Sequence, residues 1–154
     1  FYADTDIPQP NIDYVREAVN SISPHIKAGD IVILESTSPV GTTDMIRDLL
    51  QNNGVDTTTI FIAYCPERVL PGRIMAELVD NARVIGGINS QSTGIVSAFY
   101  RTFVNGEMLE TEAKTAEMCK LTENSFRDVN IAFANEFIVF VIAYWRYTKR
   151  DFIF

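Results

Sequence analysis

Residues 31–43 read IVILESTSPVGTT, and within this short stretch one structural pattern replaces another. The stretch opens with a continuous apolar run, residues 31–34, which is typical of a strand covered on both faces of a sheet. A turn follows, and Thr42 or Thr43 is then placed to cap a helix that runs to about Leu50, with Asp44 near its positive end. A buried strand followed by a turn and a helix is the repeating unit of an α/β protein.

The same alternation continues on both sides of this unit. Before it, apolar residues at helical spacing predict a helix over residues 11–22. After it, strands are predicted at residues 60–64 and 83–85, and a further helix at residues 92–103. Strands that alternate with helices indicate a mostly parallel sheet, so residues 1–110 are predicted to form the second part of a Rossmann-like parallel sheet domain.

Residues 111–154 are predicted to form a long connecting helix. Neither Gly nor Pro occurs in residues 115–147, so nothing in that segment interrupts a helix. A helix of this length usually joins two domains or forms a dimer contact. Its apolar run, residues 137–145, falls short of the ~20 residues that span a membrane, which favours a core or interface helix.

Composition excludes several classes of protein. The 154 residues carry 13 Lys and Arg against 20 Asp and Glu, a net charge of −7, so no basic surface for nucleic acid is expected. The two cysteines, Cys65 and Cys119, lie far apart and indicate free thiols in a reducing cytoplasm. His25 is the single histidine, and no metal-ligand spacing is present, so no metal site is expected. The absence of an initiator Met also leads us to expect a fragment.

Polar residues follow two of the predicted strands, where a parallel sheet places its ligand crevice. Glu67 comes directly after Pro66, and we expect its carboxylate to face a cleft with a raised pKa suited to proton transfer. The alternative is a Glu67 that is solvated, or one that is paired with Arg68 or Arg73. Thr37 could orient a water or bind a ribose, although a hydroxyl near a proline is also ordinary turn chemistry.

The long helix carries a second polar cluster. Lys120, Asn124 and Arg127 are spaced by four and three residues, so they share one helical face. Burying an ammonium, an amide and a guanidinium together is costly unless they meet a ligand or fixed partners. The alternative is a solvated face in which these groups pair with neighbouring acidic residues, namely Glu117, Glu123 and Asp128.

Three segments together resemble one enzyme family. They are residues 35–43 (ESTSPVGTT), 63–72 (AYCPERVLPG) and 115–136 (TAEMCKLTENSFRDVNIAFANE). In sequence, order and spacing they are similar to the UDP-glucose/GDP-mannose dehydrogenase family, and the resemblance extends over about residues 3–136. It implies oxidation of the C6 alcohol of a UDP-sugar to a carboxylate in two NAD-dependent steps. The steps would pass through a thiohemiacetal and a thioester on a cysteine.

The resemblance also implies a substrate and a cellular setting. The form PERVLPG is most similar to that of enzymes acting on UDP-N-acetyl-D-mannosamine, which leads to an acidic amino sugar for polysaccharide biosynthesis. UDP-N-acetylglucosamine and UDP-glucose are alternative substrates. A non-catalytic module that interacts through its helix is an alternative of another class. A cytoplasmic homodimer formed through the long helix is expected.

Position by position, the resemblance implies roles for individual residues. Thr37 would lie beside the nicotinamide and help to hold the catalytic water, and Glu67 would act as the general base. Lys120 would stabilise the oxyanion at C6 or take part in proton transfer, and Asn124 would assist it. The nucleotide sugar would be held by Arg68, Val69 and Arg127, together with Lys120 and Asn124.

Two parts of such an enzyme are expected outside this chain. The Gly-rich phosphate-binding turn and the acidic ribose ligand would lie upstream, and the catalytic cysteine downstream. Neither Cys65 nor Cys119 matches that cysteine, so the chain alone is predicted to be inactive. After residue 136 the sequence is more apolar than the family pattern, which suggests a reading-frame change or a truncated gene.

Overall fold

The computed structural model of the protein describes residues 10–69 and 72–150, and the chain divides into two units, Phe1–Lys120 and Leu121–Phe154. The outermost parts of the two predicted segments, residues 1–9 and 151–154, lie outside the described residues. The elements, in chain order, are α1 (Asp13–Ile22), a 3₁₀ turn (Ser23–His25), β1 (Ile31–Leu34), α2 (Thr42–Asn52), β2 (Phe61–Tyr64), α3 (Ile74–Asp80), β3 (Arg83–Gly87), α4 (Ser90–Tyr100), β4 (Met108–Glu112) and α5 (Ala113–Arg150).

The strands form one sheet in the order β1-β2-β3-β4. β1 is parallel to β2, with Ile31 opposite Phe61, and β3 is parallel to β4. The predicted α/β class, with a Rossmann-like sheet followed by a long helix, is confirmed. One feature was not predicted: β2 and β3 are antiparallel, paired through Ala63 with Gly87 and Tyr64 with Gly86. Among the described residues between them, the one helix is the short α3, and β3 begins at the edge of the sheet where β2 ends.

Both faces of the sheet are covered. Ile62 and Tyr64 point to one face of β2, and Ala63 and Cys65 to the other, as the period of a strand requires. The first face packs against α1, α2 and the start of α5, and its buried residues include Val19, Ile46, Leu50 and Ala116. The second face packs against α4, and its buried residues include Ile85, Val96, Tyr100 and Val104. Coverage on both faces explains the continuous apolar runs of β1 and β2.

The start of α2 differs from the prediction. Gly41, with φ of 95°, occupies the N-cap position, and no side chain of α2 caps the helix. The Thr42 hydroxyl donates to the carbonyl of Pro39, and the Thr43 hydroxyl donates to the carboxylate of Glu117. The predicted threonine cap is therefore wrong, because the cap comes from a residue distant in sequence.

The second unit is the remainder of α5. Its apolar side chains are exposed at nearly every position, and the rings of Phe133 and Phe137 stack with centroids 6.2 Å apart. No helix in the described part of the chain is both long enough and apolar enough to cross a membrane. The exposed apolar residues of this unit are Phe126, Val129, Ile131, Phe133, Phe137, Ile138, Val139, Phe140, Val141, Ile142, Tyr144, Trp145 and Tyr147.

Candidate active site at the strand ends

The segments that carry Thr37 and Glu67 leave the sheet side by side. The N–H of Cys65 donates to the carbonyl of Leu34 over 3.0 Å, and the N–H of Glu67 donates to the carbonyl of Glu35 over 3.3 Å. These bonds extend the parallel pairing of β1 and β2 beyond the ends of both strands. Thr37 is exposed on the segment that follows. The polar segments after β1 and β2 thus meet at the carboxyl edge of the sheet.

The carboxylate of Glu67 is held by three donors. One oxygen, Oε1, accepts the N–H groups of Arg68 (2.6 Å) and Val69 (2.9 Å). The other, Oε2, lies 3.3 Å from Nη1 of Arg83. The side chain remains 36% exposed, so one part of the carboxylate is fixed by the protein while another part reaches solvent.

Arg83 reaches this carboxylate because β3 runs antiparallel to β2. As the first residue of β3, it lies at the edge where β2 ends, and its side chain is only 1% exposed. Nη2 donates to the carbonyl of Leu78 over 2.9 Å, and the guanidinium carbon lies 5.5 Å from the ring centre of Tyr100. Sequence analysis placed Arg83 in a strand but assigned it no role. The one available signal was a charged residue at the head of an otherwise apolar strand.

These contacts determine the protonation state of Glu67. Partial burial raises its pKa, but the N–H of Arg68, the charge and hydrogen bond of Arg83 and the N–H of Val69 lower it more. The resulting pKa lies below the ordinary value, so the prediction of a raised pKa is wrong. Glu67 is consequently ionised at neutral pH and able to accept a proton.

Lys120 brings a charged donor to the same place. It lies in the first turns of α5, and its Nζ donates to the main-chain carbonyl of Glu67 over 2.8 Å. One ammonium thus contacts the segment that presents the Glu67 carboxylate. The structure brings together Lys120 and Glu67, two residues that the sequence placed far apart.

Glu117 lies one helical turn before Lys120 and is completely buried. Its Oε2 accepts the N–H of Gly41 over 2.6 Å. Its Oε1 accepts the N–H and the hydroxyl of Thr43, over 2.8 and 2.6 Å. From the sequence, Glu117 was expected only as an ion-pair partner on a solvated helical face. Its spacing from Ala113, Ala116 and Lys120 on one helical face was the signal that could have indicated burial.

The two cysteines are placed differently. Cys65 is fully buried, and burial raises the pKa of its thiol to about 11. Nearby, the Tyr100 hydroxyl donates to Glu35 over 2.6 Å, and burial together with this bond raises the pKa of Tyr100. Cys65 therefore remains a protonated, inaccessible thiol, unsuited to nucleophilic attack. Cys119, on α5, is half-buried.

The other predicted site residues are distributed over both units. Nη1 of Arg68 donates to the carbonyl of Ala82 over 3.3 Å, which turns its guanidinium toward the start of β3. Val69 is half-buried beside it. Asn124 and Arg127 belong to α5 within the second unit, where the side chain of Arg127 is exposed.

A separate cleft of about 440 Å³ lies at the opposite end of β3 from Arg83. It is bounded by the ends of β3 and β4 and the starts of α4 and α5, and Lys114 faces Asp44 there across 3.1 Å. None of the predicted site residues lines it. Within residues 10–69 and 72–150, no cluster of three His, Cys, Asp or Glu side chains is arranged to hold a metal ion.

Comparison with protein families gives two consecutive matches. Residues 3–104 match the NAD binding domain of the UDP-glucose/GDP-mannose dehydrogenase family. Residues 114–143 match the central domain of the same family. The second match continues past residue 136, into the more apolar part of α5.

Individual relatives agree with these matches. The chain is 53% identical over 137 residues to the UDP-N-acetyl-D-mannosamine dehydrogenase of Yersinia pestis, which covers 83% of this chain and 33% of that protein. It is 49% identical over 140 residues to an NDP-N-acetyl-D-galactosaminuronic acid dehydrogenase of Ralstonia nicotianae, which covers 85% of this chain and 33% of that protein. The chain thus spans about a third of the length of the curated relatives it matches.

Solved structures share the fold. The UDP-D-ManNAc dehydrogenase of Pyrococcus horikoshii superposes with a TM-score of 0.81 at 46% identity, over 84% of this chain and 31% of that one. The UDP-N-acetyl-mannosamine dehydrogenase Cap5O of Staphylococcus aureus superposes with a TM-score of 0.77, also at 46% identity, over 87% of this chain and 33% of that one.

Proposed function

The chain belongs to the UDP-glucose/GDP-mannose dehydrogenase family, and we propose that it is part of an NAD-dependent enzyme that oxidises the C6 alcohol of UDP-N-acetyl-D-mannosamine to the uronate. In this proposal, residues 1–110 are the C-terminal part of the cofactor domain and residues 111–154 the start of the long central helix. Cytoplasmic polysaccharide biosynthesis is the proposed setting.

The observation that carries the proposal is the meeting of Lys120 with the Glu67 segment. An ammonium held at the carboxyl edge of the sheet is a preorganised partner for negative charge that develops at C6. Asn124 would support it from the next turn of α5, and Thr37 would help to hold the catalytic water. The ionised Glu67 carboxylate, partly open to solvent, would accept a proton from that water.

The same edge fits the cofactor. In a doubly wound sheet the nucleotide lies across the carboxyl ends of the strands, and Thr37 is exposed there, where its hydroxyl would lie beside the nicotinamide. NAD would supply a hydride acceptor for each oxidation. The nucleotide sugar would be held by Arg68, Val69 and Arg127, since an arginine fork suits the paired oxygens of a phosphate.

The covalent step is assigned to a cysteine outside this chain. Cys65 is buried, and the pKa of its thiol, about 11, keeps it protonated at neutral pH. Thiolate, not thiol, is the attacking species. Cys119 is half-buried, and it does not match the cysteine that the family resemblance implies, so the chain alone is proposed to bring the base and the oxyanion donor but not the nucleophile.

The decisive test uses the full-length protein that contains this chain. Purified enzyme would be given NAD with UDP-N-acetyl-D-mannosamine, UDP-N-acetylglucosamine or UDP-glucose, and NADH formation recorded. We expect the mannosamine nucleotide to be turned over fastest. Equal turnover of UDP-glucose would refute the assignment of the mannosamine nucleotide as the substrate, and no NADH with any of them would refute the dehydrogenase.

Lys120→Met tests the proposed oxyanion role within that assay. Removing one preorganised donor should lower kcat by about 10²- to 10³-fold. NAD affinity should be unchanged, because the ammonium acts on the sugar carbon. Lys114→Met is the matched control, since Lys114 is exposed and contacts Asp44. An equal loss in both variants, or a loss of NAD affinity in Lys120→Met, would contradict the role.

A second candidate function rests on the apolar surface of α5. A module that acts only by binding a partner helix would also expose the side chains of residues 131–147. In the first candidate the same surface forms the homodimer contact. NADH formation by the full-length protein distinguishes the two candidate functions, because only the enzyme produces NADH.

A further inference from the structure

The burial of Glu117 was not expected from the sequence. Its side chain is 0% exposed, and its carboxylate accepts from the N–H of Gly41 and from the N–H and hydroxyl of Thr43, all within 2.8 Å. Both accepting oxygens are used, one by each residue. A buried carboxylate is tolerated only when such donors replace water.

The contact provides hydrogen-bond acceptors for N–H groups at the start of α2. The first N–H groups of a helix have no partner within the helix, and here no side chain of α2 itself supplies one. Glu117 does so from α5, and its negative charge lies at the positive end of α2. Ala113 and Ala116, both buried, leave room for α5 to approach this closely.

The same turn of α5 contacts the second polar segment. Three residues after Glu117, Lys120 donates to the carbonyl of Glu67 over 2.8 Å. Glu117 therefore fixes the segment after β1, and Lys120 touches the segment after β2. The segment after β1, residues 35–41, carries Thr37 and ends at Gly41, which Glu117 binds directly.

We propose that Glu117 is a positioning residue: its carboxylate anchors residues 35–41 to α5 and so sets the position of Thr37 relative to Lys120. The inference rests on the proposed function, in which Thr37 and Lys120 serve one reaction. Glu117 touches neither substrate nor cofactor in this proposal. It acts through the hydrogen bonds that its two carboxylate oxygens accept from the N–H groups of Gly41 and Thr43.

Three substitutions test whether the hydrogen bonds of the Glu117 carboxylate, rather than any polar side chain at this position, anchor the segment. Glu117→Gln keeps one acceptor oxygen and turns an NH₂ group toward an N–H donor, so at least one of the three hydrogen bonds is lost. Thr43→Val removes only the hydroxyl bond and leaves both N–H bonds in place. Glu112→Gln is the matched control, because Glu112 is an exposed glutamate near the start of the same helix.

In the full-length enzyme, Glu117→Gln should lower kcat by about 10²-fold, the usual effect of a displacement of about 1 Å in a reacting geometry. The KM for the nucleotide sugar should change much less. Thr43→Val should give a smaller loss of kcat, and Glu112→Gln none. The proposal would be overturned if Glu117→Gln lowered the melting temperature but left kcat per folded molecule unchanged.

A double-mutant cycle identifies the route of the effect. Thr37→Val and Glu117→Gln are combined, and kcat is compared with the product of the single effects. If Glu117 acts through the Thr37 segment, the double variant should lose little more than the larger single variant. Multiplication of the two losses would mean that Glu117 acts by another route and would reject the inference.

Amide hydrogen exchange tests the anchor without any turnover. In the wild-type full-length protein the amides of residues 41–43 should be protected, and Glu117→Gln should expose residues 36–43 while leaving β3 and α4 unchanged. Unaltered exchange in this segment would refute the anchor. Hydrogen exchange does not depend on enzymatic activity. An inactive wild-type enzyme would therefore refute the proposed function, and the exchange result would still decide whether Glu117 is an anchor. If Glu117→Gln does not fold, Thr43→Val tests the same anchor through the loss of the hydroxyl bond alone, and we expect a smaller increase of exchange in residues 36–43.

Discussion

At the scale of single residues, Arg83 and the N–H of Arg68 oppose the effect of partial burial and lower the pKa of Glu67. A guanidinium that is 1% exposed lies 3.3 Å from the carboxylate, and its charge favours the ionised form. Arg83→Met keeps an extended side chain but removes the charge, so the pKa of Glu67 should rise. Carbon-13 NMR titration of the Glu67 carboxyl measures the change. Arg47→Met, which affects only Asp44 and Asp48, is the control, and an unmoved pKa in Arg83→Met would contradict the assignment.

The same lowered pKa predicts a pH dependence of stability. The folded pKa of Glu67 lies below 4.5, so the ionised carboxylate stabilises the folded state above that pH, and this contribution disappears as the pH falls through the folded value. Wild type should therefore exceed Glu67→Gln in free energy of unfolding at neutral pH, and the difference should shrink in acid. Denaturant unfolding at neutral pH and well below pH 4.5 measures both values. A difference that is constant with pH would show that charge is not its source.

At the scale of elements, two glycines isolate the backbone requirement at the start of α2. A Cβ at Gly41 or at Gly94 would meet nothing within 4 Å, so packing is the same for both. Gly41 has φ of 95°, whereas Gly94 lies inside α4. Gly41→Ala should lower the free energy of unfolding by about 1–2 kcal/mol, the cost of a left-handed residue with a Cβ. Gly94→Ala should raise it by about 0.5–1 kcal/mol through helix propensity.

Thermal and denaturant unfolding of the two variants measures whether Gly41→Ala lowers the free energy of unfolding and Gly94→Ala raises it. Destabilisation by both substitutions would mean that an unrecognised contact at Gly94 outweighs helix propensity. Stabilisation by Gly41→Ala would show that the turn can change its backbone conformation, which would also weaken the case for a fixed Thr37 segment.

Elements with a strong local pattern could be predicted from the sequence, and the others could not. β1 and β2 are continuous apolar runs, and α5 lacks every helix breaker, so these were identified within a few residues of their ends. β4 reads MLETE and α3 spans seven residues, and neither has a distinctive period. The antiparallel direction of β3 is set by a connection rather than by a pattern.

The candidate site divides in the same way. Glu67, Thr37 and Lys120 follow or face strand ends, and their positions could be argued from spacing and from family motifs. Arg83 and Glu117 make their contacts with segments distant in sequence, and the sequence carries only indirect signs of them, a charge at the head of an apolar strand and a helical spacing from two alanines. The raised pKa expected for Glu67 was wrong because the N–H of Arg68 and the guanidinium of Arg83 lower it, and Arg83 reaches the carboxylate through the antiparallel pairing of β2 and β3.

At the scale of the whole molecule, the apolar surface of α5 is the feature from which we predict association. From residue 131 to residue 147 the helix exposes large apolar side chains on all sides, which a solvated helix in a monomer does not. The net charge of −7 opposes association only weakly at physiological salt. We therefore expect this part of α5 to be covered in solution, and a second copy of the chain is the proposed partner.

Sedimentation velocity of the chain tests this expectation. The wild type should sediment as a dimer, and Phe137→Glu with Val141→Lys should convert it to a monomer, because two charges replace exposed apolar side chains. Glu followed by Lys four residues later supports a helix, so the substitution does not itself break α5. Tyr14→Glu with Ala18→Lys places the same charge pair on exposed positions of α1 and should leave the dimer intact. A monomeric wild type would remove both the homodimer and the helix-mediated module, and the covering surface would then have to come from elsewhere in the longer protein.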